Sequence, residues 1–159
     1  MAQNQSPDLK RIATRGLENA GQLILQDLQA LPEEAFDLNF GGATRTIPDI
    51  IYEINLTNEH VGMVIRGEEP FDWPDGWVKA PDDFRGKDLI IKAFETSIAK
   101  TVATAEGFTT QEIEEPIELE GKQTTRFQRC QFMTLHMWYH SGQLNFIQTM
   151  LGDDGWHWK

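Results

Sequence analysis

Two histidines, His136 and His140, stand four residues apart in the segment HMWYH. In an α-helix, residues with this spacing differ by about 40° in direction and about 6 Å in height, so both imidazoles can reach one cation. Met133, Gln143 and Ile147 fall on the same arc, which predicts that this face is turned inward. The alternative is a pair of hydrogen-bonded core histidines, because an HxxxH spacing alone is common by chance.

A metal site needs a third protein ligand, and an earlier helical segment offers two candidates. Glu53 and His60 are seven residues apart, which puts them two turns, about 10 Å, apart on one helix face. One ion can therefore bind one of them but not both, and the residue spacing does not distinguish which of the two is the ligand. The zinc-protease sequence HExxH is excluded, because Met137 stands where that sequence has its glutamate.

Further side chains are candidates for hydrogen bonding to the ligands. These are Gln143, Tyr139 and Asn55. Cys130 points about 120° away from His136 around the helix, so we exclude it as a ligand and expect a small buried side chain. We expect Gly142 to permit close helix packing.

Four amphipathic segments must position these residues. Apolar spacing predicts helices over 7–30, 47–66, 87–105 and 125–151. We expect their starts to be capped by Ser6 with Pro7 as the first helical residue, by Thr46, and by Thr124 or Thr125. Residues 108–123 are interpreted as a connection, and a long loop with two tryptophans precedes the third helix. The predicted fold class is an all-α four-helix bundle with long connecting loops.

Composition limits the function classes. The chain has 159 residues, which suits a single domain over 1–159. A net charge of −11 disfavours nucleic acid and anionic membranes as partners. The lone cysteine and the absence of an export signal at the N-terminus predict a cytoplasmic protein. The uncharged stretch 130–152 holds many polar side chains, which predicts a buried helix and not a membrane span.

The capped helix start TIPDIIY at 46–52, followed much later by His136, His140 and then Ser-Gly-Gln, resembles the DinB-like (YfiT-like) superfamily of metal-binding four-helix proteins. The resemblance covers nearly the whole chain in helix order and loop placement, and the HxxxHSGQ segment is its most specific part. It implies an antiparallel four-helix bundle and a homodimer. It also implies a divalent metal, with Zn, Ni and Fe as candidates.

The resemblance also implies a ligand set. In that superfamily the ligand from the second helix is usually a histidine, about seven residues after the Ser or Thr that opens the helix, and this chain has Glu53 there. Glu53, His136 and His140 would form a two-histidine, one-carboxylate set with open positions, compatible with zinc or non-haem iron. The alternatives are His60 as the replacement ligand, or a salt-bridged Glu53 without a metal.

The implied function is that of a metal-dependent enzyme with a small-molecule substrate. The ion would activate water or a low-molecular-weight thiol, as in a hydrolase or a thiol transferase or isomerase. The competing class is a non-catalytic metal-binding or stress-associated dimeric protein whose histidines are structural. An open coordination position beside a pocket for a small molecule would favour the enzyme.

Overall fold

The computed structural model describes residues 7–119 and 121–159. The long helices of these residues are α1 (Leu9–Ala30), α2 (Ile47–Arg66), α3 (Lys87–Glu106) and α5 (Arg126–Met150). The shorter elements are a 3-10 turn (Glu33–Asp37), α4 (Thr110–Glu114), and the strands β1 (Pro116–Leu119) and β2 (Lys122–Thr125). The two strands form an antiparallel hairpin with Pro116 opposite Thr125. The prediction of an all-α four-helix bundle is confirmed.

The helices point up, down, down and up in chain order, and α3 is antiparallel to α1 because Lys87 at its start donates to a carbonyl just after the end of α1. Helices α1 and α2 lie on opposite corners of the bundle, and each packs against both α3 and α5. Helix α5 is antiparallel to α2, because Arg126 at its start donates to the carbonyl of Ile65 at the end of α2. It is parallel to α1, because Asp27 and Asn145, both near the ends of their helices, are hydrogen-bonded. The antiparallel arrangement therefore holds for some neighbouring helices and not for all.

The apolar stripes of the helices meet in one core. Its fully buried residues include Leu17 and Ile24 of α1, Ile54 of α2 and Phe94 of α3. Burial of these side chains supplies the main driving force for bundle assembly. No helix within the described part of the chain combines the length and hydropathy that a bilayer crossing requires.

Two glycines differ in their packing role. A Cβ at Gly21 would lie 2.5 Å from Cγ1 of Ile98, so this glycine lets α1 and α3 approach closely. A Cβ at Gly142 would meet nothing within 4 Å. The expectation that Gly142 permits close helix packing is therefore wrong, and this glycine instead borders a cavity.

The helix starts follow the sequence signals with one correction. Helix α1 begins at Leu9, where Asp8 is the N-cap and accepts from the Arg11 amide. Pro7 therefore precedes the helix, because an aspartate caps as well as a serine does; the predicted cap Ser6 lies outside the described residues. The predicted caps Thr46 and Thr125 are confirmed.

The connection before α5 is more regular than expected. Residues 108–123 were interpreted from the sequence as a connection, and the structure has α4 and a hairpin between Thr110 and Thr125. Gly121 adopts a φ of 73° in the turn between the strands, a conformation that glycine takes without steric cost. The hairpin was not predicted because each strand has only four residues, and the sequence of one strand does not show that it pairs with the other.

Candidate metal centre

Glu53 of α2 meets His136 and His140 of α5 between these two helices. One ligand atom from each residue lies within 4.8 Å of the other two. Glu53 Oε1 is 3.6 Å from Nε2 of His136 and 3.8 Å from Nε2 of His140. The two histidine Nε2 atoms are 3.1 Å apart. The structure thus brings together the three residues selected from the sequence, and their role as ligands stays a prediction.

These distances fit one divalent ion. Ligand bonds of about 2.1 Å place the ligand atoms of one ion roughly 3.0–3.4 Å apart at octahedral or tetrahedral angles. The histidine pair already meets this separation, and the Glu53 oxygen is a few tenths of an ångström too far. A small side-chain rotation would complete the set. In the absence of an ion, the same separation suits a hydrogen bond from Nε2–H of one tautomer of His136 to the lone pair on Nε2 of His140.

Gln143 fixes the proton of His140. The Gln143 side-chain carbonyl can only accept, so His140 Nδ1–H donates to Oε1 across 2.7 Å. The Gln143 amide in turn donates to the Tyr139 hydroxyl at 3.1 Å. Nε2 of His140 is left with a lone pair that faces Glu53 and His136. Gln143 and Tyr139 therefore occupy the supporting positions for which the sequence proposed them.

Asn55 does not take part in this arrangement. It follows Glu53 by two residues and lies about 200° away around the helix. No hydrogen bond among the described residues joins it to the three candidate ligands, and its Oδ1 is buried without a partner.

Arg45 was not selected from the sequence and contacts Glu53 directly. Its Nη2 forms an ion pair with Oε2 of Glu53 and donates to the carbonyl of Asp49 at 3.2 Å. The Arg45 side chain is only 9% exposed, and its guanidinium lies 5.3 Å from the centre of the Trp77 ring. The arginine thus holds one oxygen of Glu53 and leaves Oε1 turned toward the histidines. It precedes the N-cap of α2, in a loop without periodicity, so no sequence signal indicated it.

The imidazoles are held in the neutral form. Burial lowers the pKa of His136 below its usual 6.5. Burial, with His136 as the next cause, lowers the pKa of His140 to about 4. Both rings are therefore uncharged near pH 7, which is the state in which histidine binds a metal.

His60 and Cys130 lie outside the three-residue set. His60 packs edge-on against the rings of Phe71 and Trp73, with centroids 5.1 Å and 5.6 Å away. It shares a cleft with Glu53 but is not part of the cluster of ligand atoms. Cys130 is buried, and burial raises the pKa of its thiol to about 12. A thiol in this state is a poor ligand.

Two cavities flank the candidate ligands. The first, here named the α2–α5 cleft, has a volume of about 300 Å³ and is lined by Glu53, His60, Arg129, Phe132 and His136 among others. The second, of about 360 Å³, is bordered by Arg45, Gln143 and apolar side chains, but by none of the three ligands. Of these two cavities, the α2–α5 cleft is the one that candidate ligands border.

The fold is similar to that of several solved structures. A conserved protein from Enterococcus faecalis superimposes with a TM-score of 0.71 at 14% identity, covering 93% of this chain and 100% of that chain. A DinB-like protein from Bacillus subtilis has a TM-score of 0.66 at 13% identity, with 91% of this chain and 94% of that chain covered. A DinB-like protein from Bacillus cereus has a TM-score of 0.64 at 14% identity, with 91% of each chain covered.

These comparisons define the class of fold. No protein-family model and no curated protein matches the sequence. The chain therefore has the fold of DinB-like proteins, as the resemblance in its sequence predicted.

Proposed function

We propose that the protein is a metal-dependent enzyme in which Glu53, His136 and His140 hold one divalent ion, with zinc, nickel and iron as candidates. The observation that carries this proposal is the convergence of the three side chains at the wall of a cleft of about 300 Å³. Two histidines and one carboxylate are a donor set that suits zinc and non-haem iron. The substrate is a small molecule, because the cleft is at the lower end of the range of ligand pockets.

The chain's own residues prepare this chemistry. When bound, the ion supplies Lewis acidity that generates a nucleophile from water or a low-molecular-weight thiol near neutral pH. Three protein ligands would leave at least one coordination position of the ion open to water or substrate. Gln143 holds His140 in the required tautomer, and Arg45 holds the second oxygen of Glu53. The reaction is accordingly a hydrolysis, or a thiol transfer or isomerisation.

The ion pair between Arg45 and Glu53 favours a second candidate. A guanidinium already neutralises the carboxylate, and such a pair is a stable arrangement without a metal. In this alternative the protein is a non-catalytic, stress-associated dimer whose histidines are structural, or one that binds metal without turnover. The two candidates differ in whether metal-dependent turnover occurs.

The proposal includes a homodimer in the cytoplasm. Large apolar side chains on α5 are exposed, including Leu135 and Phe146 at 65% each and Tyr139 at 57%. They lie within the uncharged stretch 130–152, so two copies joined through α5 bring no like charges together despite the net charge of −11. The single buried thiol of Cys130 is compatible with a reducing compartment.

Reconstitution tests the proposed activity. Protein produced without an affinity tag is stripped with chelator and reloaded with Zn²⁺, Ni²⁺ or Fe²⁺. It is then assayed on carboxylic esters and amides, with and without cysteine as thiol. Turnover should require one of the ions and should disappear in His136→Ala, while His157→Ala, which changes a histidine of the C-terminal tail, should keep it. Stoichiometric metal uptake without turnover of any of these esters and amides would favour the non-catalytic alternative.

A further inference from the structure

The α2–α5 cleft contains a cation, Arg129, for which the described residues provide no ion-pair partner. Arg129 lies on α5, two turns before His136, and no carboxylate of the described residues lies within 4.0 Å of its guanidinium. Its Nε is buried and has no hydrogen-bond partner. Buried N–H groups in folded proteins are nearly always paired, so an unpaired one in a cavity wall points to a ligand that is not part of the chain.

Aromatic stacking fixes the position of this cation. The Arg129 guanidinium lies 5.4 Å from the centre of the Phe132 ring. The Phe132 ring stacks on His136, with centroids 6.0 Å apart and planes inclined by 22°. These residues occupy positions i, i+3 and i+7 of one helix, so Arg129 and His136 are about 10 Å apart along the axis. The cleft thus has a cation near one end and candidate metal ligands at the other.

The wall between these ends is mostly apolar. Val61 and Val64 of α2, Leu119 of β1 and Trp73 of the long loop border the cleft. Among the described residues that line the cleft, Glu53 is the single carboxylate, and it is already paired with Arg45. His60 also borders the cleft, and its Nδ1 is buried without a hydrogen-bond partner. An occupant of this space would therefore have an apolar body and a negatively charged end.

We infer that the α2–α5 cleft binds small carboxylic acids, with the carboxylate on Arg129 and the apolar body extending between Val64 and Phe132 toward Glu53 and His136. A guanidinium matches a carboxylate through two parallel hydrogen bonds. The net charge of −11 repels anions in general, so admission of an acid depends on this local positive charge. The inference names the substrate class of the proposed enzyme, and it rests on the proposed function for what happens at the metal end.

Calorimetric titration with 3-phenylpropionate tests this assignment, with the neutral 3-phenylpropanamide as the matched probe. Wild-type protein should bind the acid at one site and the amide at least about tenfold more weakly. Arg129→Gln should weaken binding of the acid by about tenfold or more and leave binding of the amide unchanged. Arg15→Gln, which removes an exposed arginine of α1, should bind the acid as the wild type does.

Metal uptake measured on the same variants separates this inference from the proposed function. Arg129→Gln should take up Zn²⁺ as the wild type does, because Arg129 is not a candidate ligand. If the acid binds through Arg129 but no metal is taken up, the carboxylate site stands and the proposed enzyme fails. If metal is taken up but the acid binds equally well to Arg129→Gln, or does not bind the wild type, the inference is overturned and the metal centre stands.

Discussion

Arg45 binds Glu53 through Oε2, while Oε1 is the carboxylate oxygen that lies 3.6 Å from His136. One carboxylate therefore serves both a fixed guanidinium and a pair of neutral imidazoles. This arrangement supports Glu53 as the candidate ligand on α2. The ion pair with Arg45 restrains the rotamers of the flexible Glu53 side chain, so that Oε1 faces the histidines.

Gln143 should contribute to metal affinity without touching the ion. Gln143→Leu removes the acceptor for His140 Nδ1–H, and loss of such a supporting bond typically costs about 10–100-fold in metal affinity. Gln143→Glu keeps an acceptor and should keep most of the affinity. Calorimetric titration with Zn²⁺ measures both. Tyr139→Phe serves as the control, because it leaves the bond between Gln143 and His140 in place. Wild-type affinity in Gln143→Leu would show that His140 needs no such support.

Asp27 should be important for stability. It is 1% exposed and accepts from Ser141, Asn145 and the Trp158 indole at 2.5, 2.9 and 2.7 Å. Asp27→Ala leaves these donors without an acceptor and should lower the free energy of unfolding by about 3–5 kcal/mol. Urea denaturation measures the change.

The exposed Asp37 provides the matched control for this substitution. Asp37→Ala should change the stability by less than about 0.5 kcal/mol. Equal stability of the two variants would mean that the hydrogen bonds to Asp27 from Ser141, Asn145 and Trp158 do not stabilise the fold in solution.

The metal-free protein should lose stability as the pH falls from 6.5 toward about 4. The pKa of His140 is lowered from 6.5 to about 4 in the folded state, chiefly by burial, so the unfolded chain takes up its proton first. Protonation therefore favours unfolding within this window and has no effect above it. The lowered pKa of His136 acts in the same direction.

Urea midpoints measured in chelator across this pH range test the prediction. The double variant His136→Leu/His140→Leu is the control, and its midpoint should change less with pH than that of the wild type. Parallel decreases in both proteins would assign the effect to other groups.

The exposed apolar face of α5 should mediate self-association. Sedimentation of the wild type at tens of micromolar should give a dimer. Leu135→Asp/Phe146→Asp should give a monomer, because two charges are introduced where apolar side chains are 65% exposed. Leu89→Asp, which changes an exposed leucine on α3, should remain dimeric. A monomeric wild type would contradict the proposed homodimer.

Local patterns were sufficient to predict the helices and the histidine pair. Thr46 and Thr125 cap α2 and α5 by the expected hydrogen bonds. His136 and His140 share one helix, so their spacing alone placed both rings on one face. The register between α2 and α5 does not follow from either helix by itself. The choice of Glu53 over His60 therefore depended on the resemblance to DinB-like proteins.

Contacts made by loops could not be predicted in this way. Arg45 contacts Glu53 from the loop directly before the N-cap of α2, and Trp73 borders the α2–α5 cleft from the long loop before α3. Loop conformations have no periodic pattern in the sequence, since they depend on the surface against which they pack. The direction of α3 also depends on how that loop crosses the bundle. The candidate ligands were thus accessible from the sequence, whereas the cleft beside them was not.

Metal binding by the wild type, Glu53→Ala and His60→Ala tests the central claim most directly. Calorimetry and elemental analysis near neutral pH should find one divalent ion per chain in the wild type. His60→Ala should bind it nearly as well, while Glu53→Ala, His136→Ala and His140→Ala should each lose stoichiometric binding. The proposed metal centre is contradicted if the wild type takes up no ion, or if His60→Ala loses the ion while Glu53→Ala retains it.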